Sequence, residues 1–106
     1  MIYKVIILDN ALKQIDIITN YISIELHNPN AAKKLIDNLQ IKINGLKDFP
    51  RIYPVVKDRK YQEIKIRRFP FSSFLAYYWI DENDKAVYIA AITYMKRNQE
   101  DELSNI

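Results

Sequence analysis

The chain has 106 residues, 49 % of them apolar, with 16 basic and 13 acidic side chains for a net charge of +3. That length predicts one domain over 1–106, and the apolar share is enough for one modest core and too high for a disordered chain. Absence of cysteine excludes disulfides, a thiol nucleophile and a thiolate metal site. No apolar run approaches the roughly 18 residues that span a membrane, and the N-terminus lacks the charged start of a signal peptide. A cytoplasmic location without a membrane partner is therefore the default expectation.

Residues 2–8 read as a strand that is apolar on both faces apart from Lys4, a pattern that favours a central over an edge position. Asp9 or Asn10 is placed to cap the following helix. In that helix Leu12, Ile15, Thr19, Ile22 and Leu26 fall at helical spacing, reinforced by Ile18 and Tyr21. His27-Asn28-Pro29 then interrupts, with Asn28 suited to an N-cap and Pro29 to the first position of a second helix. Ala32, Leu35, Ile36, Leu39, Ile43 and Leu46 make the apolar stripe of that helix. So short a break predicts an antiparallel helical hairpin.

Phe49-Pro50-Arg51-Ile52-Tyr53-Pro54 ends the second helix and opens a loop. From Glu63 the period becomes two: Ile64, Ile66 and Arg68 share one face, Lys65 and Arg67 the other. An aromatic run follows, read as strand 72–80, then a turn at Asp81–Lys85 and strand 86–94, which leads into Met95-Lys96-Arg97-Asn98. A short helix is expected from Arg97 to about Leu103. The order β-α-α-β-β-β-(α) implies an α+β fold, with the N-terminal strand in a four-stranded, mainly antiparallel sheet and the helical hairpin on one face.

Charge is unevenly placed. Seven basic residues against two acidic ones give the segment Arg51–Arg68 a charge of +5, leaving −2 for the remainder. Such a patch suits phosphate or an acidic partner, or a solvated edge strand. Tyr77 and Trp79 share one strand face with Leu75, while Phe74, Ala76, Tyr78 and Ile80 share the other. Aromatics on both faces of one strand predict either a groove for a partner or a face covered by loop 50–62 or the C-terminal tail. The sole histidine, His27, lies in the interhelical turn. No metal or cofactor motif is present.

These landmarks together resemble the RelE/ParE superfamily of bacterial toxins, known from plasmid-stabilisation and toxin–antitoxin operons. The opening Tyr3-Lys4-Val5-Ile6-Ile7 with Ala11 and Ile15 is similar to the first strand and helix of that family. Tyr21-Ile22 with Asn28-Pro29-Asn30-Ala31-Ala32 is similar to its helix break, and Leu46-Lys47-Asp48-Phe49-Pro50 with Tyr53-Pro54 to its helix exit. Phe74-Leu75-Ala76-Tyr77-Tyr78 and Tyr94-Met95-Lys96-Arg97-Asn98 resemble its third strand and terminal motif. The resemblance implies a type II toxin silenced by a cognate antitoxin, a small acidic DNA-binding protein. RelE-like members cut messenger RNA on the ribosome, whereas ParE-like members poison DNA gyrase.

Departures from the nuclease pattern favour the ParE-like branch. An arginine of the nuclease branch is replaced by Leu75, and a tyrosine by Leu103. Cleavage by transesterification needs a base, an acid and cations around the phosphorane. Leu75 and Leu103 cannot transfer protons, while the cations Lys65, Arg67 and Arg97 remain. The expectation is therefore a gyrase inhibitor that acts by protein binding, through Lys65, Arg67, Arg68, Tyr77, Trp79, Tyr94, Lys96 and Arg97. The alternatives are a ribosome-dependent endoribonuclease with Arg97, Arg67 and Lys65 as catalytic residues, or an inactive antitoxin-binding relic. A homodimer is left open.

Overall fold

The computed structural model describes residues 2–57 and 63–95. Its elements are β1 (Lys4–Ile7), α1 (Asp9–Asn20), α2 (Pro29–Asp48), β2 (Arg67–Phe71), β3 (Phe74–Asp81) and β4 (Ala86–Tyr94), and α1 runs on into a π-helical turn at Tyr21–Glu25. The four strands form one sheet in the order β1-β4-β3-β2. β1 runs parallel to β4, and the other two pairings are antiparallel. This is the expected α+β arrangement. Two of its expected features differ or lie elsewhere. β1 occupies an edge of the sheet and not its centre, and the expected C-terminal helix lies outside the described residues.

One face of the sheet carries the core. Ala11 and Ile15 of α1 and Leu35, Leu39, Ile43 and Leu46 of α2 pack on Phe69, Phe71, Ala76, Tyr78, Val87, Ile89 and Ile92. Each buried leucine, isoleucine, valine or phenylalanine among them contributes about 1.5–3 kcal/mol relative to exposure. The α2 stripe matches the spacing read from the sequence, except that Ile36 is largely exposed. In α1 the stripe is rotated. Ala11, Ile15, Ile18 and Ile22 face the core, while Leu12, Tyr21 and Leu26 are exposed. Ala11 has no accessible surface, so the helix turns its small residue to the sheet and approaches it closely. A count of large apolar residues passes over that alanine.

Capping also divides into one expected and one unexpected case. Asn28 accepts from the Ala31 amide at 3.1 Å and Pro29 opens α2, as the sequence predicts. For α1 the N-cap is Leu8, with no side-chain bond, and Asp9 is already in the first turn, where its charge suits the helix dipole. Asn10 reaches the sheet instead, its Nδ2 donating to the Ala90 carbonyl at 3.1 Å.

The strands begin later than the alternation suggests. β2 starts at Arg67, and Lys65 sits before it in a turn with φ 52°. Lys65 and Arg67 therefore do not align on one strand face. Residues 72–73 are not strand. Ser72, at φ 51°, and Ser73 form the tight turn between β2 and β3, closed by the Phe71–Phe74 pair. The β3–β4 turn falls where expected, and Asp81 Oδ1 accepts from the Asp84 amide at 3.2 Å.

Candidate partner-binding surface

Strand alternation divides β3 in two. Ala76 and Tyr78 lie in the core, with Phe74 and Ile80 packed against it. Leu75, Tyr77, Trp79 and Asp81 point to the opposite face. The register adds neighbours to that face. Arg68 and Pro70 of β2 stand beside Tyr77 and Leu75, and Thr93, Ala91 and Tyr88 of β4 stand beside Leu75, Tyr77 and Trp79. Lys4 and Ile6 of β1 complete it next to Ala86 and Tyr88. Trp79 and Tyr88 are in ring contact, with centroids 5.6 Å apart. Among the described residues, no helix packs on this face.

Segment 50–57 does not fold over the aromatics, and the remainder of loop 50–62 and the C-terminal tail, the other expected covers, lie outside the described residues. Tyr53 packs against Phe69 at 5.8 Å on the core side. The Tyr78 hydroxyl donates to the Pro50 carbonyl at 2.7 Å, and Val55 bridges to Arg67 at the sheet edge. Burial pushes the Tyr78 phenol up to about 12, so it stays a neutral donor. Arg67 belongs to this same strap. Its Nη1 donates to the Tyr53 carbonyl at 2.5 Å and to the Arg51 carbonyl at 3.5 Å. An arginine holding backbone carbonyls on the core side does not stand with Arg68 on the open face.

The expected site residues thus separate. Arg68, Tyr77 and Trp79 come together on the open face. Tyr94 lies on the other side with Phe74, its ring 5.5 Å away, and Lys65 is in the turn before β2. Lys96 and Arg97 lie outside the described residues, as does Leu103. Two residues not singled out in the sequence join the surface: Tyr88 and Lys4. The alternation of β4 could have found Tyr88, but Lys4 depends on the long-range pairing of β1. Leu75 is buried near the β2–β3 turn, between Pro70 and Thr93. The face carries one carboxylate among the described residues, Asp81, and it is bonded into the adjacent turn. His27 lies far off, exposed in the interhelical turn at φ 51°. Aromatic rings with cations at the rim suit a protein segment with apolar and acidic side chains.

A second polar cluster braces the end of the sheet. Glu82 accepts from the Tyr3 hydroxyl at 3.0 Å, from Lys85 at 3.1 Å and from Arg51 in an ion pair. The bonds from Arg51 and Lys85 hold the Glu82 carboxyl down at about 2. The Arg51 guanidinium is stabilised in return by Tyr3 and Glu82, and the Lys85 ammonium by Glu82. Arg51 is therefore the end of a brace between the α2 exit and the β3–β4 turn.

The fold has solved counterparts. A chain of the chromosomal ParDE toxin–antitoxin system from P. aeruginosa superposes with a TM-score of 0.67 at 14 % identity, covering 88 % of this chain and 96 % of that one. A chain of the archaeal RelE–RelB complex from Pyrococcus horikoshii OT3 superposes with a TM-score of 0.56 at 18 % identity, covering 92 % and 99 %. At such identities the likeness is one of fold. No curated protein matches the sequence. The family model for the ParE toxin of the type II toxin–antitoxin system parDE matches residues 5–99. Nearly the whole chain is covered, so this protein belongs to the ParE toxin family of type II toxin–antitoxin systems.

Proposed function

We propose that the chain is a single-domain cytoplasmic toxin that inhibits DNA gyrase by binding it, without chemistry of its own. A cognate antitoxin, small, acidic and DNA-binding, silences it by covering the open sheet face. The observation that carries this reading is the composition of that face. Phosphodiester cleavage needs a group that moves a proton beside a cation. Near the β2–β3 turn the face carries the buried Leu75, flanked by Pro70 and Thr93, and its aromatic half is Tyr77, Trp79 and Tyr88. Trp79 has no group to move a proton, and Tyr77 and Tyr88 add ring area with a hydroxyl that can bond a partner. Arg68 and Lys4 at the rim suit acidic side chains of the antitoxin, and Lys65, Lys96 and Arg97 are further cations that the sequence offers to it.

Controlled induction in a bacterial host tests the proposal, with plasmid supercoiling and messenger integrity followed in parallel. Loss of supercoiling with intact messenger is expected. Cleavage of ribosome-bound messenger with normal supercoiling, abolished by Arg97→Ala, would establish the nuclease reading instead. Growth without arrest would mark a relic that only binds its antitoxin.

A further inference from the structure

Among the described residues, His27, Lys65, Ser72 and Lys85 have a positive φ of 51° or 52°, and none of them is a glycine. This left-handed region is unfavourable for a residue with a Cβ, and glycine is its ordinary occupant. Contacts or residue type inside the molecule account for three of these positions. Histidine is a type enriched there, and the turn at His27 closes the first helix, with the Asn28 amide donating to the Ile22 carbonyl at 3.1 Å. The Ser72 hydroxyl accepts from Asn38 at 2.7 Å. Lys85 reaches Glu82 at 3.1 Å and lies over the Tyr3 ring at 5.4 Å. Lys65 differs from all three. It is exposed, and its ammonium has no partner among the described residues. The residue before it, Ile64, is 58 % exposed.

We propose that the Ile64–Lys65 turn is a docking tip for an acidic segment of the antitoxin, and that the left-handed backbone is retained because the lysine serves this contact. Backbone strain that no internal contact uses is a mark of function. The proposal rests on the reading that an antitoxin covers the open sheet face. Position links the tip to that face. Two residues after Lys65 the chain enters the sheet at Arg67, opposite Tyr78 and one position from Trp79. A segment lying across Tyr77 and Trp79 leaves the face over the start of β2, where the tip stands. The chemistry selects a protein segment. An ammonium beside an exposed isoleucine matches a carboxylate beside an apolar side chain. A nucleic acid would be met by aromatic rings and arginine forks, whereas Ile64 and Lys65 offer neither and the exposed Glu63 adjoins them.

The test sets stability against binding. Lys65→Gly relieves the left-handed backbone and is expected to raise the melting temperature by about 2–5 °C, while weakening binding of the cognate antitoxin about ten-fold by surface plasmon resonance. Ile64→Ser is expected to weaken binding with an unchanged melt, because its side chain is outside the core. His27→Gly is the control. It carries the same φ at the interhelical turn, and is expected to raise the melting temperature with binding unchanged. A lower melting temperature for Lys65→Gly would show that the fold itself holds the lysine there and would overturn the proposal. Wild-type affinity in both Lys65→Gly and Ile64→Ser would overturn it as well. If Trp79→Ala still weakens binding in that case, the reading of the open face stands without the tip; if Trp79→Ala is also neutral, both fail. Wild-type antitoxin affinity together with lost gyrase inhibition would assign the tip to the target and overturn the proposal.

Discussion

Tyr78 joins the core to the strap that follows α2. Its ring is fully buried beside Phe69, with centroids 5.9 Å apart, and its hydroxyl satisfies the Pro50 carbonyl. Tyr78→Phe keeps the ring and removes the bond, leaving a buried acceptor unpaired. The expected loss is about 1–3 kcal/mol in urea denaturation with an unchanged slope. Glu82 acts at the same scale from the surface. Its carboxyl titrates at about 2 in the folded chain against an ordinary 4.5. A lowered folded value means that the ionised form stabilises the fold above about pH 4.5, and that this contribution disappears as pH falls toward 2. Thermal melting from pH 7 to pH 2 is expected to show a steeper decline for the wild type than for Glu82→Gln. Added salt is expected to narrow that difference, because the group is exposed. The aromatic and charged residues involved are plain in the sequence, but their pairing is not. Tyr3 and Glu82 are separated by 79 positions.

At the scale of elements, β4 shows how helix and sheet complete each other. The register with β3 shifts between Tyr77 and Tyr78, which leaves an extra residue in β4. β1 ends at Ile7, opposite Ile89, so the strand has no partner there on its other side. Two side chains one turn apart on α1 take its place. Asn10 donates to the Ala90 carbonyl, and Gln14 Oε1 accepts from the Ile92 amide at 2.7 Å. Gln14→Ala would leave that amide unpaired at a half-buried site. The expected cost is about 1–2 kcal/mol, with faster amide exchange at Ile92 and unchanged exchange in β2. This arrangement also explains the rotated α1 stripe. Bonds from Asn10 and Gln14 to the sheet require Ala11, Ile15 and Ile18 to face inward, whatever the apolarity of Leu12.

At the scale of the whole molecule, one sheet face is committed to the core and the other presents Tyr77, Trp79 and Tyr88 with cations at the rim. If the antitoxin covers that face, Arg68→Glu is expected to slow association and to weaken its salt dependence, since rim charges act mainly on encounter. Trp79→Ala is expected to raise the dissociation rate, with a loss of about 2 kcal/mol or more. Surface plasmon resonance with the cognate antitoxin measures both. Unchanged kinetics in both variants would place the antitoxin on another surface.

Local patterns alone determined the class of elements, the helix break at Asn28-Pro29, the buried face of α2 and the division of β3 into two faces. Each follows from periodicity or from one residue bonding its own backbone, and neither needs a distant partner. Family membership was legible as well, because its motifs are short and ordered along the chain. Only the tertiary structure decided that β1 is an edge strand, that Lys65 precedes β2, that Arg67 holds the strap while Arg68 faces outward, and that Tyr94 lies away from Trp79. These depend on where a strand begins and which strand it meets. A shift of one residue in that register moves every side chain to the opposite face, and contacts across the fold set the register.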